Sequence, residues 1–266
     1  MRTEYEYDEN GNLTKDLNKN ITAIQYNCLN LPSRVMFANG NSISYLYDAA
    51  GRKLRTVHVL EGDSVTTDYC GNVVYENGVP QILLTEVGYV SLTDGKYHYY
   101  LKDHQGNNRV VVDEEGTVEE VNHYYPFGGV FSSTGDAQPY KYNGKELDRK
   151  GGLDWYDYGA RMYDAALGRF MKTDRFSEKY VSLSPYQYGA NNPVNNIDVN
   201  GDSLLLNKTS VAEAMLAIYN GLEDGTNLKM KFNNGVLDPT SIEAHAPESQ
   251  RHASQCAARH CPTSRN

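Results

Sequence analysis

Short runs of alternating apolar and polar residues, each closed by Asp, Asn or Gly, fill the chain from Tyr5 to Tyr100. Three related passages open it: Tyr5-Glu-Tyr7-Asp8-Glu-Asn-Gly11-Asn-Leu13, Ile24-Gln-Tyr26-Asn27-Cys-Leu-Asn-Leu31-Pro32 and Ile43-Ser-Tyr45-Leu-Tyr47-Asp48-Ala-Ala-Gly51-Arg52-Lys-Leu54. Their Asp/Asn positions 8, 27 and 48 lie 19 and 21 residues apart, a period that predicts a repeat architecture. Tyr-x-Tyr places two rings on one face of a strand. The following Asp or Asn opens a turn, and Gly supplies the positive φ that lets the next strand begin. Asn39-Gly40, Cys70-Gly-Asn72, Glu76-Asn77-Gly78 and Asp94-Gly95 mark further turns, with β-prone strands such as Gln81–Thr85 and Tyr97–Tyr100 between them. A polar loop is predicted at Ser132–Gln138.

The pattern changes at Leu153–Asp202, which is dense in Tyr, Gly, Asn and Asp, and changes again beyond it. Ser210 to Glu213 forms a capping box, and Val211, Met215, Ile218 and Leu222 share one helical face. Leu228–Phe232 alternates like a strand, and Asn233-Asn234-Gly235 reads as a turn. From Glu243 onward there is no Ile, Leu, Val, Met, Phe, Tyr or Trp, so that segment is predicted to be disordered. Its abrupt composition is also what an out-of-frame continuation would produce. The organisation read from these changes is repeat strands at 1–125, a core at 126–202, the start of a small C-terminal domain at 203–242 and a tail at 243–266.

Composition narrows the class. The 266 residues include 22 Tyr against 6 Phe and 1 Trp, only 39% are hydrophobic, and mean hydropathy is −0.63. Thin, two-faced sheet suits these values better than a compact α/β enzyme, because a tyrosine ring packs while its hydroxyl finds a polar partner. The net charge of −9 gives no sign of a nucleic-acid-binding face. No apolar run is long enough to span a membrane, and no signal peptide is visible. Cys28, Cys70, Cys256 and Cys261 form no disulfide framework. His245, His252, Cys256, His260 and Cys261 match no zinc spacing, so neither a metal nor a cofactor is expected.

One string of motifs carries more information than any of these. YHYYLKDHQGNNRVVV, YYPFGG and YNGKELD lead to YDYGARMYDAALGRFMKTD and NPVNNIDVNG. Together with the Tyr-Asp repeats, these motifs resemble the Rhs/YD-repeat family and its repeat-associated core domain, in versions similar to those of Bacteroidetes, over residues 1–202. The resemblance implies an all-β fold: a spiralling antiparallel sheet forming part of a hollow cocoon, with a core segment curling inward and a short α+β piece after it. It implies the shell-forming C-terminal part of a longer polymorphic toxin. Such a protein encapsulates a variable C-terminal effector, here incomplete, in competition between bacteria. Its expected partners are its own C-terminal segment, upstream Rhs repeats and an immunity protein, and its expected place is outside the cell or at its surface.

The resemblance also implies chemistry. Many members cut their own chain after a terminal motif that Pro193-x4-Asp198-x2-Gly201 matches, although Val199 stands where Pro is usual and Asp202 where Leu is usual. The activity is aspartic-protease-like, with carboxylates sharing a proton. Asp174 occupies the position of one catalytic carboxylate, and Asp164 is the nearest candidate for the second. Arg161, Tyr163, Asp164, Gly168, Arg169, Phe170, Asp174, Pro193, Asp198 and Gly201 make up the core motif. The alternative for Asp164, Asp174 and Asp198 is that they cap turns. For Arg161 and Arg169 the choice lies between lowering the pKa of a nearby Asp and locking the core into the shell. Lys102-Asp103-His104 reads as a turn. A glycan-binding adhesin, using the tyrosine faces against sugar rings, is the rival class.

Overall fold

The computed structural model describes residues 3–179, 181–206, 227–233 and 236–245. Two compact units divide the chain, residues 1–203 and 204–266.

In the first unit, fourteen strands pair antiparallel in chain order to form one open sheet. They are β1 Tyr5–Tyr7, β2 Leu13–Asp16, β3 Ile21–Tyr26, β4 Pro32–Phe37, β5 Ser42–Tyr47, β6 Lys53–Leu60 and β7 Asp63–Cys70, followed by β8 Val73–Glu76, β9 Val79–Leu84, β10 Gly88–Ser91, β11 Tyr97–Lys102, β12 Asn108–Asp113, β13 Val118–Tyr124 and β14 Val130–Thr134. The predicted loop at Ser132–Gln138 is therefore partly strand. Ser132 and Ser133 pair with β13, and the Ser133 hydroxyl reaches Asn122 Oδ1 at 2.8 Å, so a polar sequence is held by the ladder and a side-chain bond.

The repeat rests on one turn used many times. Asp8 Oδ1 accepts the backbone N–H groups of Asn10 and Asn12, two and four residues on. Asn27, Asp48, Asp103 and Asp113 do the same. The third residue after each carries positive φ: Gly11, Asn30, Gly51, Gly106 and Gly116. The carboxylate or amide thus replaces two missing ladder acceptors, while the left-handed residue reverses the chain. At the turns opened by positions 8, 27, 48 and 103, the preceding strand pair slips by one residue: a bulge adds twist wherever the turn recurs.

After β14 the chain doubles back across the sheet as β15 Glu146–Asp148, β16 Trp155–Asp157, β17 Met162–Asp164 and β18 Arg169–Phe170, a second antiparallel sheet. This segment packs against the sheet. Trp155, Leu153, Met162 and Met171 pack with Leu13, Ile21, Val35, Phe37, Ile43 and Tyr45 of β2–β5. A second cluster is almost all tyrosine: Tyr124, Tyr142, Tyr156, Tyr158, Tyr163 and Tyr188, with Leu147 and Phe170. Because one small sheet touches both the first strands and the last, the large sheet must bend around it. The core segment thus packs against both ends of the large sheet.

Buried polar groups tie the two sheets together. Lys53 of β6 pairs with both Glu146 and Asp157 at 2.7 Å, His58 Nε2 lies 2.9 Å from Asp148, and Lys19 reaches Asp164 at 3.2 Å. Three tyrosine hydroxyls, from Tyr142, Tyr156 and Tyr163, donate to the carbonyls of Pro126, Gly128 and Phe127, stapling the YYPFGG loop.

In the second unit, β20 Leu204–Leu206, β21 Asn227–Asn233 and β22 Val236–His245 are described, with β21 and β22 antiparallel. The predicted strand at Leu228–Phe232 is present. The predicted tail begins too early, because Glu243 to His245 still pair with Asn227 to Lys229; a ladder needs backbone groups, not apolar side chains. The predicted helix after Ser210 and the residues beyond 245 lie outside the described residues.

Candidate functional site

The site is built on three turns of the core segment. Asp157 Oδ1 accepts the Gly159 N–H at 2.7 Å, and Gly159 at φ +89° turns the chain so that Arg161 stands just before β17. Asp174 Oδ1 accepts the Phe176 N–H at 2.8 Å. The third turn follows β19, Asn196–Asp198: Asp198 Oδ1 accepts the N–H groups of Gly201 at 2.6 Å and Ser203 at 3.3 Å. Gly201 has φ +80°, and a Cβ there would come within 2.9 Å of the Arg161 nitrogen, so both the backbone angle and the space demand glycine.

The capping reading thus holds for one oxygen of each aspartate, and the other oxygen does something else. Arg161 Nη2 lies 2.8 Å from Asp174 Oδ2 and 3.4 Å from Asp198 Oδ2. The same guanidinium donates to the Pro185 carbonyl and, through Nε, to the Gly201 carbonyl, and it stacks 3.7 Å from the centre of the Phe170 ring. Arg161 is 2% exposed, so two carboxylates and two peptide carbonyls share one cation away from water.

Arg161 draws the pKa of Asp198 down, but not below its ordinary value. Burial pushes that carboxyl up by more than Arg161 and the two amide hydrogen bonds bring it down. An acid held toward its neutral form beside a second carboxylate is the arrangement that proton sharing requires.

Asp164 is placed elsewhere. Its Oδ1 caps the Ala166 N–H at 2.8 Å and its Oδ2 faces Lys19, so it shares no partner with Asp174. The carboxylate brought beside Asp174 is Asp198. Gly168 hydrogen-bonds back to the Asp164 carbonyl and lies against Phe127, and Tyr163 staples the YYPFGG loop. Arg169 stands among the rings of Tyr5, Tyr7 and Tyr186 and donates to the Tyr7 hydroxyl at 2.5 Å, joining core to shell through tyrosine and not through a carboxylate. The Pro193 carbonyl accepts from the Gln105 side chain, which fastens the start of the terminal motif to the Asp103 turn. Asp103 and His104 belong to that turn, as expected.

Sequence reasoning put Asp198 in the motif but missed its pairing with Asp174. The intact Pro-x4-Asp-x2-Gly spacing was the available signal.

Known proteins share this architecture. The family described as Teneurin YD-shell matches residues 82–194. A tRNA3(Ser)-specific nuclease WapA of Bacillus spizizenii is 27% identical over 244 residues, covering 81% of this chain and 10% of that protein. The Tc holotoxin pore of Photorhabdus luminescens, solved with a TccC3 aspartate-to-alanine mutation, superposes with a TM-score of 0.63 at 20% identity, over 74% of this chain and 10% of that one.

The chain is similar to Rhs/YD-repeat proteins in sequence and in fold.

Salivary gland surface protein 1 of Aedes aegypti is also similar to this chain, 29% identical over 249 residues, covering 83% of the chain and 7% of that protein. The chain therefore spans a tenth or less of the length of these curated relatives. Among its described residues, no helix is long and apolar enough to cross a membrane.

Proposed function

We propose that residues 1–203 form a shell-and-core portion of an Rhs toxin that encloses and presents a C-terminal effector for competition between bacteria. The observation that supports this reading is the core segment packed against both ends of the sheet. Buried ion pairs and tyrosine hydroxyls hold it there, which makes it a fixed internal anchor for the chain that follows Ser203. The WapA relative, named as a tRNA nuclease, supports a toxin context. The partners in this reading are the C-terminal segment itself, further Rhs repeats preceding the shell and an immunity protein, and the site of action is outside the producing cell or at its surface. Growth competition between isogenic bacteria with and without the intact gene tests it. Equal fitness against susceptible neighbours would refute it.

A second reading, self-cleavage, is favoured by the Asp174–Arg161–Asp198 cluster. Asp174 and Asp198 would activate a water between them, and Arg161 already polarises the Gly201 carbonyl through its Nε hydrogen bond. Hydrolysis adds the water oxygen to a backbone carbonyl carbon and its proton to the departing amide nitrogen. Intact-mass measurement of purified protein should show two fragments dividing near Asp202, and Asp174→Asn or Asp198→Asn should leave one full-length species. Uncut wild-type chain would end this reading and leave the shell reading standing.

A further inference from the structure

A cleft of about 500 Å3 opens beside the 198–202 turn. The ends of the first three repeat turns form one wall and the core segment the other. Its charged lining is unbalanced: Arg52, Lys53, Arg161, Lys172 and Arg175 against Asp157 and Asp202.

Four of those cations already have a carboxylate. Arg52 pairs with Asp48, Lys53 with Asp157, Arg161 with Asp174 and Arg175 with Asp202. Lys172 has none within ion-pair distance among the described residues; its ammonium donates to the Leu29 carbonyl at 3.4 Å. It is held half-buried between Arg161 and Arg175, whose combined repulsion exceeds the attraction of Asp202 and Asp174. Burial first, and then these two cations, bring its pKa down to about 8. A half-buried cation without a counter-charge is costly, and an incoming anion would relieve that cost.

The rest of the lining indicates what carries the anion. Asn10, Asn12, Asn30 and Asn200 line the cleft, and Asn10 and Asn12 each donate an amide hydrogen to Asn30 Oδ1, at 3.2 and 2.9 Å, which joins three of them into one polar patch. Side-chain amides both donate and accept, as a peptide backbone does.

We propose that this cleft binds a carboxylate-bearing polypeptide segment, with Lys172 meeting the carboxylate and the asparagine amides meeting the peptide groups. The proposal is independent of whether the chain cuts itself, since it needs only the folded cleft.

The test is titration of the full chain with an acetylated, amidated glutamate-rich hexapeptide and with its glutamine counterpart. The acidic peptide should bind about tenfold or more tightly than the neutral one, the difference expected for a charge-assisted contact. Lys172→Ala should remove that preference, and Lys172→Arg should keep it. The NMR titration of the Lys172 amine should move upward on binding, a readout that does not depend on any variant folding. Equal affinity for the two peptides, an unmoved Lys172 titration, or displacement of the peptide by inorganic phosphate at equal concentration would overturn the proposal.

Discussion

Lys53 on the large sheet and Asp157 on the core segment lie 2.7 Å apart, Nζ to Oδ2, and the pair is almost wholly removed from water. Burial alone would push the Asp157 carboxyl up; the Lys53 ammonium and the Gly159 amide outweigh it and hold the carboxyl below its ordinary range. Lys53 also holds Glu146, so Lys53→Met strands two carboxylates at once. Breaking a buried pair in this way should cost about 3–5 kcal/mol, measured as a shift in urea midpoint. The wild-type contribution of Asp157 should be present above about pH 4 and lost as pH falls through its lower folded pKa.

Removing the cation from the Asp174–Asp198 pair should convert it into a pH-sensitive element. In Arg161→Met the buried Asp198 carboxyl, which burial already pushes up, loses the counter-charge that draws it down, so its folded pKa rises further. A folded pKa above the unfolded one stabilises only while the proton is on. The variant should therefore lose stability as pH rises from about 4 toward 8, more steeply than wild type. Urea midpoints across that range decide it, and parallel curves for the two proteins would contradict it.

Asn143 joins core to shell through a single side chain. Its Oδ1 accepts the hydroxyls of Tyr158 at 2.6 Å and Tyr188 at 2.5 Å, and its Nδ2 donates to the Gln105 carbonyl at 3.1 Å. Its backbone sits at φ +50°, which asparagine tolerates better than most residues. Asn143→Leu should cost about 1–3 kcal/mol for each buried group left unpaired, seen in thermal or urea unfolding.

Two glycines separate backbone strain from packing. Gly40 has φ +88° and nothing within 4 Å of where a Cβ would stand, so Gly40→Ala should cost only the left-handed penalty, about 1–2 kcal/mol. Gly128 has φ +86°, and its Cβ would meet the Tyr142 ring at 2.5 Å. Gly128→Ala should cost clearly more and should also change the near-ultraviolet circular dichroism of the tyrosine cluster.

The tyrosine cluster predicts alkaline unfolding. Burial pushes Tyr142 up to about 12 and raises Tyr158, Tyr163 and Tyr188 as well. Above about pH 10 the unfolded chain releases these protons while the folded chain keeps them, so stability falls as pH climbs. Lys172 acts in the opposite sense between about 8 and 10, because its folded amine gives up its proton first. With four tyrosines against one lysine, the net loss above pH 10 should dominate. Tyrosinate absorbance should then appear together with unfolding.

The sequence by itself determined the local structure. Asp or Asn followed three positions on by Gly or Asn dictates the turn, since the side chain caps its own loop and the last residue tolerates positive φ, with no help from distant residues. The motif string likewise marked Arg161, Asp174, Asp198 and Gly201 as belonging together. Only the tertiary structure decided what each charge faces. In the chain, Lys53 is an ordinary charged residue after a turn, and Asp164 is as plausible a partner for Asp174 as Asp198 is. The bending of the large sheet around the core segment put Lys53 against Glu146 and Asp157, and the turn at Gly201 folded Asp198 onto Arg161. Capping is short-range and can be read along the chain; charge pairing depends on distance through space, and packing the core segment on the sheet sets that distance.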